Sequence, residues 1–120
     1  MVRLRLPARA NVRRVPGEMN KTERRYSELL AARKAAGEIA DWWFEPVKLR
    51  LADKCFLTID FMVQQNDGLL ELHDVKARWS NGQVGRDDAR IKLKVAAEKY
   101  PFRVLAAVYD RRTDWTYEEF

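Results

Sequence analysis

The chain has 120 residues and a net charge of +5, from 23 basic and 18 acidic side chains, with one histidine and one cysteine. That length makes a single domain with a modest core and leaves room for a homodimer. No apolar run is long enough to span a membrane, no signal-peptide core follows the basic N-terminus, and the lone Cys55 excludes an internal disulfide framework and fits a reducing cytoplasm.

Most of the excess charge lies at the start. Residues 1–18 hold Arg3, Arg5, Arg9, Arg13 and Arg14 against one acid, Glu18, a balance of +4, so the remainder carries +1. Val2, Leu4 and Leu6 alternate with Arg3 and Arg5 in a short strand pattern that Pro7 and Pro16-Gly17 break. The stretch reads either as a basic arm for a polyanionic partner or as a solvated tail. Residues 19–120 make the compact domain.

A helix is predicted from Asn20 to about Ala36, with Gly37 as its stop. Asn20 and Glu23 have the spacing of a capping box. Tyr26, Leu29 and Leu30 define the buried stripe. Glu23 lies at its edge, whereas Glu28 lies opposite and should face water. Glu23 therefore has two compatible roles, as a cap and as an acid near a site. Trp42 and Trp43 mark the entry to a sheet as core or dimer contacts. Val47, Leu49 and Leu51 alternate with Lys48 and Arg50 in a strand with one wet face, followed by a turn at Ala52-Asp53-Lys54.

Cys55, Leu57, Ile59, Phe61 and Val63 are apolar at every odd position, which predicts one strand with Asp60 on the opposite face. A turn at Gln64–Gly68 leads to a second strand, on which Leu70, Leu72, Asp74 and Lys76 share a face. Pairing of the two strands lets Asp60 face Asp74. His73, Glu71 and Val75 fall on the other face, where His73 is expected at the surface and Glu71 is a reserve ligand should the register slip.

The polar loop after Lys76 carries Arg78, Trp79 and Arg86, the candidates for contact with a polyanionic partner, with packing as the alternative for Trp79. Asp87 or Asp88 opens a second helix through about Tyr100, with Arg90 and Lys94 one turn apart as a phosphate-facing row. After Pro101, residues 102–109 read as a strand buried on both faces, parallel to the Asp74 strand through a right-handed crossover. Residues 110–120 form a last strand or pack on the sheet. The fold class is α/β, with a mixed four-stranded sheet (an antiparallel meander plus one parallel strand) and flanking helices.

Two carboxylates on adjoining strands can hold hard divalent cations through oxygen, and a lysine one pleat away can orient a water or offset developing negative charge. Asp60, then Asp74-Val75-Lys76, resembles the PD-(D/E)xK nuclease motif, although Ile59 replaces the proline. Within that superfamily the chain is similar to phage endonuclease I-type enzymes that resolve DNA junctions, from about Asn20 to Val108. The features that carry the similarity are the upstream Glu23, the Asp60-Phe61 pair, Lys76 followed by Trp79, and Asp87-Asp88-Ala89-Arg90 opening a lysine-rich helix. The resemblance implies a restriction-endonuclease-like core and Mg²⁺, or Mn²⁺, held by Asp60, Asp74, the Val75 carbonyl and Glu23, with Lys76 orienting the water. It also implies branched DNA as substrate, a homodimer that exchanges its arms, and a host-cell cytoplasmic setting for a phage-encoded chain. Two other readings keep part of this: a nicking or repair nuclease, and a non-catalytic DNA-binding or virion-associated protein.

Overall fold

A computed structural model describes residues 17–78 and 87–120, the side chains of Asp87 and Asp88 excepted. Helix α1 spans Lys21–Ala35 and is opened by the capping box: Glu23 N–H donates to Asn20 Oδ1 at 2.8 Å, and Asn20 N–H donates to Glu23 Oε1 at 2.9 Å. These bonds satisfy two of the amides that a helix start leaves without partners. Tyr26 and Leu30 are fully buried and Glu28 is exposed, as their angular positions require.

The strands are β1 (Asp41–Phe44), β2 (Lys48–Ala52), β3 (Cys55–Thr58), β4 (Phe61–Gln64), β5 (Leu70–Ala77), β6 (Arg103–Asp110) and β7 (Asp114–Glu119), with α2 (Asp87–Lys99) between β5 and β6. The architecture is α/β. The sheet has five strands, in the order β1-β4-β5-β6-β7, not the four expected. Only β5 and β6 are parallel among the described strands, joined by the predicted β-α-β crossover. Strands β2 and β3 form a separate two-stranded sheet.

The fifth strand arises because the run from Cys55 to Val63 is not one strand. It breaks at Ile59-Asp60. Ile59 N–H donates to the Val47 carbonyl at 3.3 Å, and Glu45 N–H donates to the Asp60 carbonyl at 2.8 Å. Glu45 has φ of 48°, the sharp turn that sends the chain out of β1. The β2–β3 hairpin thereby peels away from the sheet, and β1 takes its place beside β4, with Trp42 opposite Val63. Trp43 is left exposed on the other side of this edge strand.

Two apolar layers result. Helix α1 covers one sheet face through Tyr26, Leu30, Phe61, Val63 and Ala107. Helix α2 and the hairpin cover the other through Leu49, Leu57, Ile59, Leu72, Leu93 and Val104. Leu57 and Ile59 thus bury on the α2 side while Phe61 and Val63 bury on the α1 side. The segment after Asp110 resolves into β7, antiparallel to β6 at the sheet edge.

Candidate active site

The β4–β5 register pairs Phe61 with His73, so Asp60, one residue before β4, lies across from Asp74. The bend at Ile59-Asp60 turns the Asp60 carboxylate toward β5, where Oδ2 accepts the Val75 N–H at 2.8 Å. Asp74 lies close enough for its charge to act on the Asp60 side chain. Burial, then the neighbouring Asp74 charge, holds the Asp60 carboxyl far above the usual carboxylate range, and Glu23 pushes in the same direction. Two neighbouring carboxylates largely out of water favour a proton or a cation beside them.

Lys76 follows on the same face of β5. Its Nζ lies 2.8 Å from Asp74 Oδ2, with the lysine side chain 8% and the aspartate 15% exposed. The alternation of β5 thus places an acid, a base and the Asp60 partner together, as the pleat predicts. Glu23 is 4% exposed. It serves as the reciprocal member of the capping box, and its charge reaches Asp60.

The DNA-contact candidates are placed differently. Arg78, just past β5, ion-pairs with Asp110 at 3.3 Å. Arg90 forks onto Glu118 at 2.5 and 2.6 Å, and Lys94, one turn on, is exposed. Trp79, Arg86 and arm residues 1–16 lie outside the described residues.

His73 is not at the surface. It is 2% exposed, its Nδ1 2.6 Å from the Tyr26 hydroxyl and its Nε2 2.9 Å from Glu71 Oε1. A ring protonated at Nε2 donates to Glu71 and accepts from Tyr26 at Nδ1, which satisfies both contacts. Arg103 Nη1 adds a bond to Glu71 Oε2 at 3.0 Å. His73 is buried because β5 is the central strand and α1 lies on that face. Glu71, His73 and Arg103 line a cleft of about 680 Å³ with Arg33, Gln65 and Tyr117, across the sheet from the Asp60-Asp74 pair. Sequence reasoning also missed Glu118. The strand alternative for residues 110–120 puts Glu118 on the face opposite Tyr117, but only the β6–β7 register sets that face as the one Asp74 occupies.

Among the described residues, no three His, Cys, Asp or Glu side chains converge as metal ligands. The pair Asp60 and Asp74 nevertheless fits a hard divalent cation. Both are oxygen donors, each lies within electrostatic reach of the other, and Asp74 already holds the Lys76 ammonium. No helix among the described residues is long and apolar enough to cross a membrane. No protein-family model, curated protein or solved structure matches this chain.

Proposed function

We propose that this chain is a Mg²⁺-dependent endodeoxyribonuclease that hydrolyses phosphodiester bonds in branched DNA. One observation carries the reading: Asp60 and Asp74 meet side by side from adjoining strands, with the Lys76 ammonium on Asp74. Asp60 and Asp74 would hold the cation, together with the Val75 carbonyl and Glu23. Mg²⁺ or Mn²⁺ bound there supplies Lewis acidity, lowering the pKa of a coordinated water and neutralising charge on phosphate oxygens.

The protein's own groups do the remainder. Val75 N–H fixes Asp60 Oδ2, so the carboxylate is preorganised rather than ordered at the moment of reaction. Asp74 holds the Lys76 ammonium, which orients an attacking water and offsets negative charge on the oxygens of the pentacoordinate transition state. Burial of both residues excludes bulk water and strengthens each of these interactions. The order of helix, antiparallel pair, helix and parallel strand supports a restriction-endonuclease-like core. The choice of branched DNA, and of a homodimer that offers two sites to two strands, draws on the resemblance to endonuclease I-type enzymes.

The test is cleavage of a four-way DNA junction beside a linear duplex of the same sequence, each with Mg²⁺ and with chelator. Junction-selective, metal-dependent cutting is expected. Equal cutting of both substrates would keep the nuclease and point to nicking or repair. Binding without cutting in Mg²⁺ and in Mn²⁺ would make the protein a non-catalytic DNA binder.

A further inference from the structure

Beside the carboxylate pair, on the same sheet face, the register places Asp74, Ala106 and Glu118 in one row across β5, β6 and β7. Two strand spacings separate Asp74 from Glu118, about 10 Å between Cα atoms. The residue between them is alanine, so the row is low in the middle and charged at both ends. The N-terminal half of α2 borders this row, because the crossover starts that helix near the end of β5.

Arg90 reaches from α2 to Glu118 and engages both carboxylate oxygens. Glu118 stands next to three cations: Arg90 in contact, with Lys94 and Lys76 within electrostatic reach. The Arg90 and Glu118 side chains are 36% and 43% exposed. At that exposure solvent and salt screen the pair, and a competing anion can reach Arg90 from the water side. The same planar fork that grips a carboxylate through two parallel bonds grips a phosphate in the same way.

We propose that Arg90 and Lys94 form a phosphodiester-binding subsite beside the Asp60-Asp74 pair, and that the Glu118 carboxylate occupies it in the free protein as an internal stand-in for phosphate. On the nuclease reading above, the ligand is a backbone phosphate next to the one that is cut. DNA displaces Glu118 from Arg90, and the released carboxylate turns to water at the exposed sheet edge. Glu118 thereby lowers affinity for isolated phosphate groups. A substrate must offer enough further contacts to displace it, which favours extended or branched DNA over short fragments.

The experiment is fluorescence anisotropy with a labelled four-way junction in chelator, over roughly 50 to 200 mM salt. Glu118→Gln is expected to bind about tenfold more tightly at the low-salt end, because no carboxylate has to leave Arg90 before the phosphate is gripped. Adding Arg90→Gln to that variant should abolish the gain. In the unaltered protein, the Arg90 Nε–H resonance should shift on DNA addition, a readout that needs no variant to fold. An unchanged or weaker Glu118→Gln affinity, or a still Arg90 resonance, overturns the subsite. If the wild type cleaves with Mg²⁺ while Glu118→Gln affinity is unchanged, the nuclease reading stands and the subsite falls. If the Arg90-dependent gain appears without wild-type cleavage, the subsite stands and the catalytic reading falls.

Discussion

Asp60 is a buried carboxylate within reach of a second acidic charge, an arrangement that destabilises a fold unless a proton or a cation intervenes. A group kept in such a position is a candidate for chemistry rather than for structure. Asn at position 60 can still accept the Val75 N–H through its amide oxygen while removing the repulsion. Without metal, Asp60→Asn should therefore melt at the wild-type temperature or a few degrees above it, since about 1 kcal/mol moves a domain of this size by roughly 4 °C. Mg²⁺ should raise the wild-type melting temperature and leave the variant's unmoved. Cleavage should fall by more than about a hundredfold in Asp60→Asn, Asp74→Asn and Lys76→Ala, with junction binding in chelator retained. Melting curves with and without Mg²⁺, beside a gel assay, check all of this. A large drop in Asp60→Asn stability without metal would make Asp60 a structural residue.

Strand β5 serves two faces at once. Its even positions carry Asp74 and Lys76, and its odd positions carry Glu71 and His73 under α1. The His73 bond, with Arg103 assisting, lowers the Glu71 carboxyl from 4.5 to about 2. A carboxylate whose folded pKa is depressed contributes stability above its unfolded pKa and loses it as pH falls through the folded one. The fold should therefore lose stability between about pH 4.5 and 2. Glu71→Gln should flatten that limb and cost about 1–2 kcal/mol at pH 7, after discounting for solvent screening. Some slope should persist, because Arg90 and Arg103 also lower Glu118 and Glu119. Denaturant melts across that pH range check it, and equal slopes in both proteins would remove Glu71 as the cause. The same strand separates what was legible in the sequence from what was not. The Asp60–Asp74 facing and the Asp74–Lys76 neighbourhood follow from local period and turn, so they could be read directly. The break at Ile59-Asp60 could not, because apolar residues continue at odd positions while the chain changes layer. Its causes are the distant Glu45 and Val47 backbone and the competing edge strand β1. His73 misled for a related reason: its burial depends on which helix covers a central strand, and one polar residue in a short run does not encode that.

At the scale of the whole molecule, charge is divided unevenly: +4 in residues 1–18 and +1 in the rest. A nearly neutral domain whose site face carries Asp60, Asp74 and Glu118 attracts a polyanion weakly. Many of its described cations are already engaged by acids, among them Arg90 by Glu118, Arg103 by Glu119 and Lys76 by Asp74. On the nuclease reading, long-range attraction to DNA comes largely from the five arginines of the first eighteen residues. Each phosphate neutralised by such a side chain adds about 0.9 to the slope of log affinity against log salt. Deleting residues 1–18 should therefore lower that slope by about 2 to 4 and weaken binding most at low salt. Binding of the full-length and shortened chains to one junction, titrated with salt in chelator, measures it. Affinity that fell equally at all salt concentrations would mean that the arm contacts DNA without charge neutralisation. An unchanged slope would assign every phosphate contact to residues 19–120, and the Arg90 and Lys94 face would have to supply the attraction alone.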